Sequence, residues 1–274
     1  MSALAAELGP PVFHDAQRRI WRDQTGAGEA STRVVAEETP VAFAYEGTSY
    51  AVMMATPADL EDFAVGFSLN EGVVHSPDEI DELDIVRTDD GIVLRMALAN
   101  GPADAFWQRR RHLSGPSGCG LCGLESLAQA TRRPPPVAGG IRVSADAIDA
   151  AMKMLPARQT MNRLTGALHA AAFWTPDDGI VAVREDVGRH NALDKLTGAV
   201  VAAGRSAAEG AVLLTSRVSV EMVQKAASLG APILVAISAP TALALRVADA
   251  AGITLIAVAR RDGFETFTHP HRLL

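Results

Sequence analysis

The two cysteines of this chain lie three positions apart, as Cys119 and Cys122, in the glycine-rich run 117–123. Two thiols at this spacing can close a disulfide, share a metal ion, or divide the roles of attacking and resolving nucleophile. The flanking glycines give this backbone unusual conformational freedom. We therefore predict that Cys119 and Cys122 carry out chemistry and do not serve as a structural staple.

Several chemistries use such a pair. A thioredoxin-like motif normally opens a helix after the first strand of a small α/β domain, whereas glycines surround this one. A zinc site needs two further ligands. His169 is the best candidate, but Ala171 stands where zinc deaminases carry a glutamate, and no metal site is predicted. The remaining use is sulfur carriage as a persulfide, for which the run Arg109–Arg111 could lower the pKa of a thiol.

The composition excludes other classes of function. The chain has 274 residues, of which 48% are hydrophobic, and a net charge of −7. An acidic balance argues against broad binding to nucleic acid or to an anionic membrane. No run approaches the ~20 apolar residues of a membrane span. No basic segment followed by an apolar stretch begins the chain, so a cytoplasmic location is predicted.

The chain is predicted to fold as α/β in two domains after a loose tail at residues 1–30. A smaller α+β domain, residues 31–135, has a hairpin that turns at Glu46-Gly47, then a helix that begins with Thr56 as its cap and Pro57, and then a strand pair over 80–98. It ends in the cysteine loop. The proline run 134–136 marks the boundary to a second domain, residues 136–274.

The second domain alternates strands and helices. Strands are predicted at 180–184, 211–215, 233–237 and 254–258, and helices at 144–155, 191–203, 220–229 and 241–251. This alternation predicts a largely parallel sheet with helices on both faces, in three α/β/α layers. Ligands of such sheets bind beyond the carboxyl ends of the strands.

Polar residues follow each of these strands. Arg189, Arg217, Ser219 and Arg260 are predicted to bind phosphate groups there, since free helix N-termini and guanidinium groups suit anions. Ser219 can instead be an ordinary helix cap. Asp186 can accept from a guanine edge or cap the following helix. His190 and Asn191 can bind ligand or cap, Lys195 can bind ligand or be a solvated helix residue, and His169 is expected to support a loop or the core.

At these residues the sequence resembles the FdhD family of sulfur carriers required for formate dehydrogenase activity. The resemblance spans most of the chain. Its most specific segment is Glu-Asp-Val-Gly-Arg-His-Asn-Ala-Leu-Asp-Lys at 185–195. Further matching segments lie at 70–74, 117–123, 165–171, 216–225, 237–241 and 268–270.

The resemblance implies a specific function. Such proteins take sulfur as a persulfide from a cysteine desulfurase and deliver it to the bis-molybdopterin guanine dinucleotide cofactor of formate dehydrogenase. Cys119 would carry the persulfide and Cys122 would be the secondary thiol. The resemblance also implies a homodimer, guanine nucleotides such as GDP or GMP as mimics of the cofactor, and a second domain like a zinc-free cytidine deaminase. The cofactor-binding stretch would comprise Val258, Ala259, Arg260, Arg261, Asp262 and Gly263.

Two functions besides sulfur transfer remain to be tested. A thiol-disulfide oxidoreductase would need both cysteines equally. A nucleotide-binding chaperone without sulfur chemistry would tolerate replacement of either cysteine.

Overall fold

A computed structural model describes residues 12–20, 29–99, 103 and 133–274. Within these residues the strands form three sheets, of two, four and six strands. The two-stranded sheet is an antiparallel ribbon of β1 (Phe13–Ile20) and β2 (Glu29–Ala36). Residues 13–20 were predicted to be part of a loose tail, and the pairing with β2 corrects that prediction. None of the described helices has the length and apolar character that crossing a membrane would need.

The four-stranded sheet contains β3 (Thr39–Tyr45), β4 (Thr48–Ala55), β5 (Ile80–Thr88) and β6 (Gly91–Leu98), in the order β4-β3-β6-β5. The two predicted hairpins are both present. Helix α1 (Leu60–Asn70) buries Phe63 and Phe67 against Phe43 of β3. The apolar spacing that predicted this helix is therefore the spacing of its buried face.

Helix α1 begins three residues later than predicted. Its N-cap is Asp59, in a left-handed conformation, and not Thr56. Thr56 is fully buried and its backbone N–H donates to Asp186 Oδ2 at 3.0 Å. The polar groups of Thr56 thus serve a contact between distant parts of the chain, which a local capping pattern cannot reveal.

The C-terminal region begins with helices α2 (Ala145–Arg158) and α3 (Thr160–Thr165). Ser144 caps α2 as predicted, accepting from the N–H of Ala147. The following elements are β7 (His169–Thr175), β8 (Gly179–Asp186), α4 (Arg189–Ala202), β9 (Ala211–Leu214), α5 (Val220–Leu229), β10 (Ile233–Ala236), α6 (Ala242–Ala251), β11 (Thr254–Arg260) and β12 (Gly263–Thr266). Short 3₁₀ turns lie at Pro77–Glu79, Ala207–Glu209 and Pro270–Arg272.

The six-stranded sheet has the order β12-β11-β10-β9-β7-β8. Strands β9, β10 and β11 are parallel, as predicted. Strand β7, which the sequence did not predict, runs antiparallel between β8 and β9, and β12 is antiparallel to β11. The expectation of a largely parallel sheet is therefore wrong for three of the five strand pairings, although β8 still points in the same direction as β9 to β11.

Helices cover both faces of this sheet. Ile148, Met152 and Leu155 of α2 pack on one face. Helices α4, α5 and α6 pack on the other, around Phe173 of β7 and Leu234 of β10. The layers of this region are therefore helix, sheet and helix. The protein as a whole is a mixed α/β fold with several sheets.

Helices α1 and α4 cross at a contact between two glycines. A Cβ atom on Gly66 would lie 1.8 Å from the backbone oxygen of Asp194, and one on Gly198 would lie 2.1 Å from that of Asp62. Because both positions lack side chains, the two backbones approach closely. This contact joins the core of the four-stranded sheet to the helices that cover the six-stranded sheet.

A buried polar cluster lies beside the same contact. Lys225 Nζ donates to Asp194 Oδ1 at 2.7 Å, and Asn70 Nδ2 donates to the same oxygen at 2.7 Å. Asn70 also donates to Thr197 Oγ1 at 3.1 Å. Three helices, α1, α4 and α5, are thereby tied together by one carboxylate.

Candidate functional site

The carboxyl ends of four strands meet at one edge of the six-stranded sheet. His169, at the start of β7, pairs with Asp186 at the end of β8. Ile237, after β10, donates its N–H to Leu214 O, and Val258 of β11 donates to Ser238 O at 3.3 Å. The strand ends that the sequence marked by their polar residues are thus neighbours in space, and this carboxyl edge is the candidate site.

Asp186 is completely buried at this edge and accepts four hydrogen bonds. Its Oδ2 accepts from Lys195 Nζ at 2.6 Å and from Thr56 N at 3.0 Å. Its Oδ1 accepts from Gly188 N at 2.7 Å and from Asn191 Nδ2 at 2.9 Å. Protein donors therefore occupy both oxygens, and a guanine edge would have to displace them. Of the two roles predicted for Asp186, the arrangement seen corresponds to the second, in which the carboxylate caps the start of α4.

Lys195 is fully buried, contrary to the alternative that it is a solvated helix residue. Its Nζ donates to Thr56 O at 2.8 Å as well as to Asp186, and it lies 5.3 Å from the ring centre of Phe63. Asn191 is also buried and donates to Met54 O at 2.8 Å. Lys195 and Asn191 therefore connect the end of β4 to the start of α4. This connection needs side chains that donate hydrogen bonds, which explains why a lysine and an asparagine are buried here.

Glu185 also binds backbone N–H groups, at the start of a helix. Its Oε1 accepts from the N–H of Asn162 at 2.7 Å and its Oε2 accepts from that of Met161 at 2.8 Å. These donors begin the short helix α3 and would otherwise be unsatisfied. Burial raises the pKa of the Glu185 carboxyl, against the effect of these hydrogen bonds.

Three predicted site residues cluster at the start of α4 and α5. His190 Nε2 lies 3.2 Å from Glu221 Oε2, and Ser219 Oγ donates to the same oxygen at 2.8 Å. Arg189 is close enough to lower the pKa of this carboxyl, although by less than His190. Sequence reasoning missed Glu221, whose only signal was its place two residues after the helix-capping position Ser219.

His169 lies beside this cluster. Burial lowers the pKa of its imidazole, and the positive charge of Arg189 lowers it further, while the carboxylate of Asp186 opposes both. His169 is thus a partly buried residue at the edge of the site, near Arg189 and His190 of α4.

The arginines of the carboxyl edge have free guanidinium groups. Within the described part of the chain, Arg189, Arg217 and Arg260 make no ion pair, and the buried Nε of Arg189 has no hydrogen-bond partner. By contrast, Arg184 on the same sheet binds Asp62 at 2.6 Å. Unpaired guanidinium groups are suited to bind anionic groups, and Arg189 also stands at a helix N-terminus.

The predicted stretch 258–263 forms the end of β11 and the turn into β12. Its register shifts between Ala257 and Arg260, and Val258 has a φ of 53°. A β-branched residue in this left-handed region is strained, and such strain clusters at functional sites. Arg260, Arg261, Asp262 and Gly263 are all exposed at this turn.

The catalytic candidates Cys119 and Cys122, and the run Arg109–Arg111, lie outside the described residues. Among the predicted cofactor-binding residues, Arg189 and His190 are the first two residues of α4, and Arg217 and Ser219 lie in the loop before α5. A pocket of about 380 Å³ lies elsewhere, along β8 and the second half of α4, and none of the predicted site residues line it.

Comparisons with known proteins identify the family of this chain. The chain matches the FdhD/NarQ family over residues 36–274. The sulfur carrier protein FdhD of Agrobacterium fabrum is 54% identical over 260 residues, which cover 94% of this chain and 96% of the relative. That of Cupriavidus necator is 47% identical over 271 residues, covering 99% and 93%.

A solved structure also matches. A crystal structure from Desulfotalea psychrophila, described as a formate dehydrogenase accessory protein, superposes with a TM-score of 0.74 at 25% identity and covers 96% of this chain and 100% of that chain. The family predicted from the sequence motifs is thus confirmed, and the chain belongs to the FdhD/NarQ family.

Proposed function

We propose that this protein is a sulfur carrier that serves the maturation of a formate dehydrogenase. The observation that carries the proposal is its similarity, at 54% identity over nearly the whole chain, to a relative named as a sulfur carrier protein. The name of the solved relative, a formate dehydrogenase accessory protein, supports the choice of client. Activity as a sulfurtransferase belongs to the same proposal.

The sulfur-bearing atom is proposed to be Cys119 Sγ. In the first step the Cys119 thiolate attacks the outer sulfur of a persulfide on a cysteine desulfurase. A new S–S bond forms on Cys119 and the desulfurase cysteine leaves as a thiolate, so that charge and sulfur atoms balance. Cys122 is proposed as the secondary thiol that can resolve the persulfide.

The acceptor is proposed to be the molybdenum cofactor in its bis-molybdopterin guanine dinucleotide form. Its diphosphate groups are anions, and the carboxyl edge offers Arg189, Arg217 and Arg260 without ion pairs to described residues. Residues 260–263 of the predicted stretch are exposed at the turn that follows β11. The donor set therefore fits a large anionic ligand, and GDP is its convenient mimic.

The resemblance supports three finer proposals. They are a homodimer as the assembly, the cytoplasm as the compartment, and a zinc-free relative of the cytidine deaminase fold for residues 136–274. The layered sheet with helices on both faces supports the last of these. The predicted domain boundary near the proline run 134–136 also remains a proposal. The comparisons lend no support to a thiol-disulfide oxidoreductase, because the relatives are named as sulfur carriers.

Mass spectrometry of the intact chain tests the function. The protein is incubated with a cysteine desulfurase and cysteine, and we expect added mass equal to one sulfur atom on the peptide that contains Cys119. The Cys119→Ala variant should lose this adduct and still bind GDP, while Cys122→Ala should keep it. Failure of wild-type protein to gain sulfur under these conditions would contradict the proposal.

A further inference from the structure

One carboxylate oxygen joins the beginnings of two helices at the carboxyl edge. Glu221 Oε2 accepts from Ser219 Oγ at 2.8 Å and lies 3.2 Å from His190 Nε2. Ser219 is the N-cap residue of α5, yet its side chain caps no backbone N–H there. Because Ser219 binds Glu221 instead, the serine holds the carboxylate against the ring of His190.

The charge of Glu221 determines which ring nitrogen of His190 is left without a hydrogen-bond partner among the described residues. The hydrogen bond with His190 lowers the pKa of Glu221 to about 2, with burial opposing and Ser219 assisting. The carboxylate is therefore ionised near neutral pH and can only accept hydrogen bonds. It follows that Nε2 of His190 carries the hydrogen in this contact, and Nδ1 has no partner among the described residues.

Groups that interact with this ring come from two other elements. They are His169 on β7 and Glu221 on α5. Asp186 is held by its own donors, so Glu221 is the carboxylate in contact with the ring. A second proton on the ring would sit on Nδ1, where it could donate to an anion, and Glu221 would offset the added charge.

We propose that Glu221 is a positioning residue, which together with Ser219 fixes His190 so that Nδ1 donates to a phosphate group of an anionic ligand at the carboxyl edge. The identity of the ligand rests on the proposed function, in which the cofactor carries such phosphates. The orientation of the ring does not depend on the proposed function, because it follows from the contacts of Ser219, Glu221 and His190. His190 is the group that touches the ligand, and Glu221 acts through it.

The ring nitrogens can be followed directly by NMR in protein labelled with ¹⁵N-histidine. Above neutral pH we expect wild-type His190 to be a single tautomer with hydrogen on Nε2. Glu221→Leu should give a mixture of tautomers, and Ser219→Ala a smaller change in the same direction. Glu221→Gln keeps an acceptor oxygen and should keep most of the wild-type tautomer. Glu61→Gln is the matched control, since Glu61 is an exposed acid in the first turn of α1.

GDP binding by the full chain provides the functional measurement. We expect Glu221→Leu and His190→Gln each to weaken binding about tenfold, the effect of losing one charge-assisted hydrogen bond. The double variant should bind no more weakly than either single variant, because both changes remove one interaction.

The outcomes separate this inference from the proposed function. Unchanged ring nitrogens in Glu221→Leu, or additive effects of the two substitutions on GDP binding, would overturn the positioning role even if sulfur transfer is confirmed. If wild-type protein bound no GDP while the tautomer still depended on Glu221, the orienting contact would stand and the proposed ligand would be wrong. If Glu221→Leu does not fold, Ser219→Ala decides the result by the same spectra, and unchanged ring nitrogens in that variant would overturn the positioning role.

Discussion

Lys195 Nζ lies 2.6 Å from Asp186 Oδ2, and neither side chain is exposed to solvent. Two charges buried together are stable only while both partners are present. The backbone N–H of Thr56 donates to Asp186, and Lys195 donates to the backbone oxygen of Thr56. The pair thereby links the end of the four-stranded sheet to the start of α4. The pair therefore supports the carboxyl edge from the interior of the fold.

We expect Lys195→Met to lower the free energy of unfolding by about 3–5 kcal/mol, because it leaves the Asp186 carboxylate buried without its cation. Urea denaturation measures this loss. Lys153→Met is the control, since Lys153 pairs with Asp149 at the surface and should cost less than about 1 kcal/mol. Equal losses in the two variants would show that burial of the pair is unimportant.

Gly198→Ala should destabilise the protein by about 1–3 kcal/mol, because the new methyl group would overlap the backbone of α1. An ordinary helical glycine would instead gain about 1 kcal/mol from this change. Gly66→Ala should cost more, since its Cβ would come within 1.8 Å of Asp194 O. A rise in melting temperature in either variant would contradict the close approach of the two helices.

The pH dependence of stability should contain a contribution from Glu221. Its pKa falls from the ordinary value of 4.5 to about 2 in the folded protein, so the folded state binds this proton more weakly than the unfolded chain. The stabilisation is therefore complete above about pH 4.5 and is lost as the pH falls towards about 2. Melting temperatures of wild type and Glu221→Gln should converge over that range. A difference that stays constant would exclude this linkage.

Val258→Gly should be more stable than Val258→Ala by about 1 kcal/mol, because glycine removes the cost of the left-handed backbone and alanine keeps it. Both variants lose the contacts of the two γ-methyl groups of valine, so their difference reports mainly the backbone strain. Chemical denaturation of the two variants gives the comparison. The opposite order would mean that φ at this position is relaxed in solution.

Local signals in the sequence predicted local structure well. Helix α5 has the predicted bounds, Val220–Leu229, and Ser144 caps α2, since periodicity and capping depend on neighbouring residues. Strand β7 escaped prediction because its run of alanines, Ala170 to Ala172, has weak strand propensity. Its pairing with β8 and β9 on both sides determines its conformation, and such partners cannot be read from one segment.

The site was predicted in part. The convergence of four strand ends followed from the alternation of strands and helices, because it depends only on direction in the sheet. The roles of Asp186, Lys195 and Glu221 did not follow, since each is determined by a partner distant in the sequence. Thr56 contacts Asp186 across 130 positions, and His190 contacts Glu221 across 31.

The glycine contact between α1 and α4 has a consequence for how the protein unfolds. Separation of α1 from α4 would expose both hydrophobic cores at once, because the two backbones are in direct contact there. The described regions should therefore melt in a single cooperative transition. Amides of β6 and β9, on opposite sides of this contact, should exchange with deuterium at rates governed by the same global opening.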